Sequence, residues 1–409
     1  MNRRNTTIVA VAIVVLIAAG AGSLLILQST SQQPQLAKEV KIGLIASLTG
    51  SLAPYGVSVL EGARLAVAEI NEKGGILGAK VVLVEVDDRS TDVKEAVTGF
   101  TKMVEADKVV GVVGITSSTI IAGVREEAEK YRVPVILNHG TSDRTLTKSL
   151  QYTFRGCTPA ATSYTKSFAD FIIAQGLRRV AILIASYEYG YSIRDALNKH
   201  LSAVQGMNIQ VEEAPLTETD FTPYLRKLLP MNPDVLVVTG HPGASPIIIK
   251  QALEMGFQSR YYVAASHSPS YFVSVLGEDI FKGVVISSCT DYSSQAYKQV
   301  AVKYFKTYNK FMDHNAVSGY VSVYQIANAV EKTRSTDPSK IADYLRNNAY
   351  EHPLFVYPLS YTEWGELKAA KQALFIFRRG NPGAINPGAN WVLDLVYMSS
   401  PVEPFVPAQ

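Results

Sequence analysis

The stretch from Lys41 to Asp88, KIGLIASLTGSLAPYGVSVLEGARLAVAEINEKGGILGAKVVLVEVDD, admits few folds. It reads as strand, polar loop, amphipathic helix, double-glycine stop and strand. Ile42–Ala46 and Val81–Val86 are continuous aliphatic runs, as strands buried on both faces of a parallel sheet are. Between them Leu60, Ala63, Val67 and Ile70 recur at helical spacing, and Gly74-Gly75 ends the helix. The loop between the first strand and the helix is where such a unit opens a ligand site.

The alternation continues. Strands are expected at Val109–Gly114, Val133–Leu137, Val180–Ile184, Ile209–Glu212, Val235–Val238, Tyr261–Ala265 and Val284–Ile286. Helices are expected at Thr91–Val104, Ser118–Tyr131, from Phe221 with Pro in its first turn, and at Ile247–Met255 before Gly256. Two such runs, 41–155 and 161–286, predict two similar α/β lobes with right-handed crossovers. Beyond 290 come two long helices, Tyr297–Phe311 and Tyr320–Lys332, and a shorter one, Ile341–Arg346. The chain then has a strand and turn at Pro358–Leu367 and strands at Ala373–Arg378 and Trp391–Tyr397. A chain of 409 residues suits two domains of roughly 150–200 residues.

The first seven residues carry Arg3 and Arg4, and Ile8–Leu27 has no charge. About 20 apolar residues span a bilayer, and the leading arginines put the bulk of the chain outside the cell. An uncleaved anchor over residues 1–27 is therefore expected, with a cleaved signal peptide as the alternative. No cysteine stands directly after it to carry a lipid, and 28–39 is a polar tether. The net charge of +3, with no long Lys/Arg run, gives no reason to expect nucleic acid as a partner. Cys157 and Cys289 are the two cysteines; they form no metal-finger spacing, and outside the cell they can pair.

The loop Gly50–Gly56 is neither GxGxxG nor GxxxxGK[ST], and GxSxG and HExxH are absent. No nucleotide or other cofactor is expected. In open α/β sheets ligands bind beyond the carboxyl ends of the strands. The residues there are Ser47–Tyr55, Thr116-Ser117-Ser118, Asn138-His139-Gly140-Thr141, Ser186–Tyr189, Gly240-His241 and Ser266-His267. Hydroxyls, imidazoles and tyrosines dominate. Ser117 and Ser118 open a helix, whose free N–H groups suit an anionic or carbonyl oxygen; simple capping is the competing role. Tyr55 and Tyr189 are each followed by Gly, where an exposed bend is expected. His139, His241 and His267 come after three different strands. Hydrogen bonding to a ligand or loop carbonyl is expected of them, since a metal needs them within about 4 Å of one another.

With these pieces in place, residues 40–398 resemble the type I periplasmic-binding-protein fold, in its Leu/Ile/Val-binding branch of ABC-importer receptors. The matching pieces include KIGLIASLTG, PYG, GARLAVAEINEKGGILG, VVGVVGITSS, VPVILNHGTSDRTLT, FRGCTP, DFTPYLRKLLPMNPDVLVVTG and YTEWGELK, in family order. The resemblance implies two Rossmann-like lobes joined by three hinge crossovers, near Gly156–Ala160, Ser287–Asp291 and Lys368–Lys371. It divides the chain into lobe 1 (40–157 and 290–369), lobe 2 (158–289 and 370–398) and a tail (399–409). Cys157 and Cys289 then sit on neighbouring crossovers, close enough for a disulfide. It implies that a ligand carboxylate meets Ser117 or Ser118 and the His139-Gly140-Thr141 segment, with Tyr55 and Tyr189 kept from the PYG and YG motifs.

The amine site departs from the family. Its amino-acid binders carry an acid where this chain has Ser266-His267. An ammonium buried without an acid is costly. Either Glu188 or Asp291 substitutes, or the ligand is not an α-amino acid; the second is favoured. The function implied is a monomeric, membrane-tethered, non-enzymatic receptor that closes on a small polar solute (an amino acid, amide or organic acid) and hands it to an ABC permease. A ligand-sensing domain and a hydrolase using the cleft histidines, His241 among them, are the alternatives.

Overall fold

The aliphatic runs become two parallel sheets of the same strand order. The computed structural model describes residues 38–239, 243–264 and 268–408; the expected anchor at 8–27 and the candidate residues His241, Ser266 and His267 lie outside them. In the first sheet β1 (Glu39–Ala46), β2 (Lys80–Asp87), β3 (Val112–Gly114), β4 (Val135–Leu137) and β5 (Thr153–Phe154) run parallel in the order β2-β1-β3-β4-β5. The second repeats that order with β6 (Arg179–Ala185), β7 (Asn208–Ala214), β8 (Val235–Thr239), β9 (Tyr261–Ala264) and β10 (Val284–Ser288), as β7-β6-β8-β9-β10. Two antiparallel strands, β11 (Ala373–Arg379) and β12 (Trp391–Met398), extend it.

Helices cover both faces, which is why the strands must be aliphatic throughout. In lobe 1, Val40, Ile42 and Leu44 of β1 pack with Val59 and Ala63 of α1 (Ala53–Glu72). The neighbouring Ile45 points the other way, toward Phe100 of α2 (Val93–Lys102) and Ile120 of α3 (Ser118–Tyr131). In lobe 2, Val180, Ile182 and Ile184 of β6 meet Phe168 of α4 (Ala161–Ala174) and Ile193 of α5 (Glu188–Leu201). Ala181 and Leu183 face Leu225 of α6 (Thr222–Leu228) and Ile248 of α7 (Ser245–Glu254); α8 (Pro269–Leu276) comes after β9. Each such Val, Leu or Ile contributes about 1.5–3 kcal/mol by its burial.

The chain crosses between the lobes three times: after β5, after β10, and again before β11. In the return to lobe 1 it forms α9 (Gln295–Tyr308), α10 (His314–Thr333) and α11 (Pro338–Asn347), with α10 lying along α1. The Glu69 carboxylate of α1 accepts from Tyr320 (2.6 Å) and Tyr324 (3.1 Å) of α10. Cys157 and Cys289 form a disulfide, with Cα atoms 6.0 Å apart, that joins the first two crossovers.

Several elements begin elsewhere than the aliphatic pattern predicts, for local reasons. The strand expected from Val133 starts at Val135, because Pro134 has no N–H to enter a ladder. The helix expected from Thr91 starts at Val93, since the Asp92 side chain accepts from Glu95 N at 3.0 Å. The last long helix starts at His314 rather than Tyr320, capped by Asp313 through Ala316 N at 3.0 Å. Pro358–Leu367 makes two single bridges, Tyr350–Leu359 and Tyr361–Leu367, rather than a strand.

Candidate ligand site

The strand order places a reversal at β1/β3 in one lobe and at β6/β8 in the other, and a cavity opens at the carboxyl ends of both. It holds about 560 Å³ between its walls, its mouth included. Leu52 and Tyr55 come from the loop and helix after β1, Thr116, Ser117 and Ser118 from the turn after β3. His139, Gly140 and Thr141 come after β4, and Thr158 after β5. Lobe 2 supplies Tyr187 and Tyr189. Seven of the ten expected ligand residues thus meet in one cavity: Tyr55, Ser117, Ser118, His139, Gly140, Thr141 and Tyr189. The other three are His241, Ser266 and His267, outside the described residues.

The glycines after Tyr55 and Tyr189 do not mark exposed bends. Gly56 and Gly190 lie inside α1 and α5. A Cβ there would stand 2.0 Å from the Ser47 carbonyl oxygen and 1.9 Å from that of Ala185. The helices press onto the strand ends through the missing side chains, which sets each tyrosine over the sheet edge.

Ser117 and Ser118 divide the work at the start of α3. Ser118 Oγ accepts from Ser142 N at 3.3 Å and holds the neighbouring loop. Ser117 is the N-cap residue, yet its side chain makes no capping bond. Its hydroxyl lines the cavity instead, beside first-turn N–H groups that the helix leaves without carbonyl partners. Among the described residues, neither the Gly140 nor the Thr141 N–H is donated to a protein acceptor.

His139 bonds through Nε2 to Asn315 Oδ1 at 2.7 Å and stacks on His314, the ring centroids 5.1 Å apart. Burial pushes its pKa down to about 4, against the opposing pull of Asn315, so the ring is neutral at neutral pH. His314 reaches Ser288 Oγ at 2.9 Å and lies 3.5–3.6 Å from the two bridged sulfurs. Cys157, Cys289 and His314 are the one close group of metal-type ligands among the described residues, and its sulfurs are bonded to each other.

Tyr187 and Tyr189 pack edge to face at 6.0 Å, and burial raises the pKa of both. The Tyr189 hydroxyl bonds with Thr141. Thr158 was not expected as a ligand residue: it lines the cavity, and its buried Oγ1 has no hydrogen-bond partner among the described residues.

No charged side chain lines the cavity among the described residues. The two acids suggested as amine partners are engaged elsewhere. Glu188 accepts from Ser142 Oγ at 2.9 Å and pairs with Arg144 at 3.4 Å, both across the interlobe boundary. Asp291 accepts from Ser293 N and Oγ in its own turn.

Two α/β lobes of one topology, three crossovers and a cavity of hydroxyls and tyrosines between strand ends define a two-lobed ligand-binding protein. Residues 39–378 match the family model of the periplasmic binding proteins, and the chain belongs to that family. It is 25% identical over 362 residues to the Leu/Ile/Val-binding protein BraC3 of Rhizobium johnstonii, covering 87% of this chain and 96% of that one. The branched-chain amino acid transporter substrate-binding protein LivJ of Streptococcus pneumoniae, solved with isoleucine, has a similar fold. Its TM-score is 0.75 at 24% identity, over 89% of this chain and 99% of that one. An ABC-transporter solute-binding protein of R. palustris, solved with 4-hydroxybenzoate, gives a TM-score of 0.76 at 18% identity, over 90% and 98%.

Proposed function

We propose that this protein is the extracytoplasmic receptor of an ABC importer and binds a small carboxylate without an ammonium group. The observation that carries this is the cavity wall. The Ser117 hydroxyl, the Gly140 and Thr141 N–H groups that donate to no described residue, and the start of α3 offer donors and no anionic acceptor at one end, where Thr158 completes the wall. Tyr55, Tyr187, Tyr189 and Leu52 offer an apolar, largely aromatic body. A carboxylate finds many donors there. An ammonium finds no acid among the described residues, and its burial unpaired is costly.

Closure is the working motion. Ser142 of lobe 1 bonds Glu188 of lobe 2 at 2.9 Å and lies 3.3 Å from Ser192, so the lobes meet beside the cavity. A ligand touching both lobes favours this arrangement by its extra contacts, and a permease reads it. Lobe 1 comprises 40–157 and 290–369, and lobe 2 comprises 158–289 and 370–398. The protein acts as a monomer held to the outer face of the membrane by residues 8–27, which lie outside the described residues; no helix of those described is long and apolar enough to cross a membrane. No bond is made or broken, and a His139 whose pKa is near 4 is a weak base for hydrolysis. The test is native mass spectrometry of protein purified without added ligand, then of what it releases on denaturation. A small acid released intact is expected; an α-amino acid, or a chemically altered product, contradicts the reading.

A further inference from the structure

Arg155 is the largest fully buried charged side chain among the described residues, and nothing in solute capture uses it directly. It sits just after β5, at the entrance to the first crossover. Its guanidinium donates to the carbonyl oxygen of Gly140, which also accepts from Thr145 Oγ1 at 2.7 Å, and, at 3.0 Å, to that of Ser142. The carbonyl between them, of Thr141, accepts from Ala161 N at 2.6 Å. Three successive carbonyls of the ligand loop are therefore held on the hinge side. A peptide unit is planar and trans, so the Gly140 carbonyl drawn to Arg155 sends the Thr141 N–H the opposite way, on the residue that lines the cavity.

The third donor of Arg155, Nε, reaches Glu366 Oε2 at 2.9 Å, and the two side chains are 0% and 1% exposed. The other carboxylate oxygen accepts from Ala160 N at 3.3 Å and Leu367 N at 3.1 Å. Ala160 ends the first crossover and Leu367 precedes the third. One buried ion pair thus ties two hinge segments to the backbone that faces the ligand. A planar five-donor fork is needed for this, which a lysine cannot supply.

We propose that Arg155 and Glu366 are positioning residues that couple the hinge to the ligand loop, by helping to aim the Thr141 N–H into the cavity when the first and third crossovers are in register. Binding a carboxylate at that N–H and closing the hinge are then one event. The inference rests on the carboxylate reading above for its binding consequence, but its structural half does not.

Three variants test it: Arg155→Lys, Glu366→Gln, and the double variant Arg155→Met with Glu366→Leu, which removes both charges at similar volume and so leaves none buried unpaired. Two readouts are taken on each folded variant. Backbone hydrogen exchange without ligand is expected to accelerate at least tenfold in the 138–145 segment, with β1 and β6 unchanged. The dissociation constant for 4-hydroxybenzoate is expected to rise at least tenfold, with Arg155→Lys weaker in effect than the double variant. Wild-type exchange in 138–145 in a folded double variant overturns the proposal. Failure of all three variants to fold overturns it too, since the pair is then a determinant of folding alone. If wild type does not bind 4-hydroxybenzoate, the carboxylate reading is at fault for that probe, and the exchange readout still decides the coupling.

Discussion

Thr158 carries the sharpest consequence at the level of one residue. Its buried hydroxyl has no partner among the described residues, which costs about 1–3 kcal/mol. Thr158→Val keeps the shape and removes that cost. Stability without ligand should hold or rise, by up to about 1 kcal/mol in urea unfolding, while affinity for the ligand falls roughly tenfold by titration calorimetry. Lower stability with unchanged affinity would show that the hydroxyl serves the fold. His139 gives a pH signature. Its pKa falls from 6.5 when unfolded to about 4 when folded, so between those values the unfolded chain holds more protons. Stability from this group is full above pH 6.5 and is lost as pH drops toward 4. Asp313, raised to about 6 mainly by burial, works in the opposite direction over part of that range. The His139 contribution must therefore be read as wild type minus His139→Gln. That difference should shrink by the order of 2 kcal/mol from pH 6.5 to 4 in denaturant titrations.

At the level of elements, the helix starts and the loops after strands supply the cavity wall. Glu188, in the first turn of α5, is the acid that meets the loop after β4 across the cleft. Glu188→Ala removes the Ser142 bond and the exposed Arg144 pair, and only the first is expected to matter. The dissociation rate measured by stopped flow should rise about three- to tenfold, with the association rate nearly unchanged. An unchanged dissociation rate would mean that the lobes are held by ligand contacts alone. Most of these elements were legible as sequence. The segments after the aliphatic runs contain ten of the eleven cavity residues, all but Thr158, and seven of these are expected ligand residues. Thr158 escaped because β5 is two residues long, too short to leave an aliphatic run, so no pattern flagged the residues at its carboxyl end. Helix starts were missed where an Asp cap, rather than the apolar period, sets the boundary: Asp92 and Asp313. The glycines beside the tyrosines were legible, but for the wrong cause, since close approach to a carbonyl leaves the same letter as a bend.

At the scale of the whole molecule, the two sheets and the three crossovers enclose one cavity, and under the proposed closure they act as one device for turning solute binding into a change of shape. Its long-range ties join residues far apart in the chain. The Arg155–Glu366 pair spans 211 positions and the disulfide 132, and only the disulfide could be anticipated, from the family resemblance. The identity of the solute is concentrated in chemistry that both lobes share. Titration calorimetry of the wild-type protein with matched ligands addresses this directly, using benzoate, 4-hydroxybenzoate, benzamide, leucine and isoleucine. One of the carboxylates lacking an ammonium should bind with micromolar or tighter affinity, at least a hundredfold better than leucine or isoleucine, and benzamide should bind weakly. Tight binding of leucine or isoleucine and of nothing else would contradict the reading of the cavity.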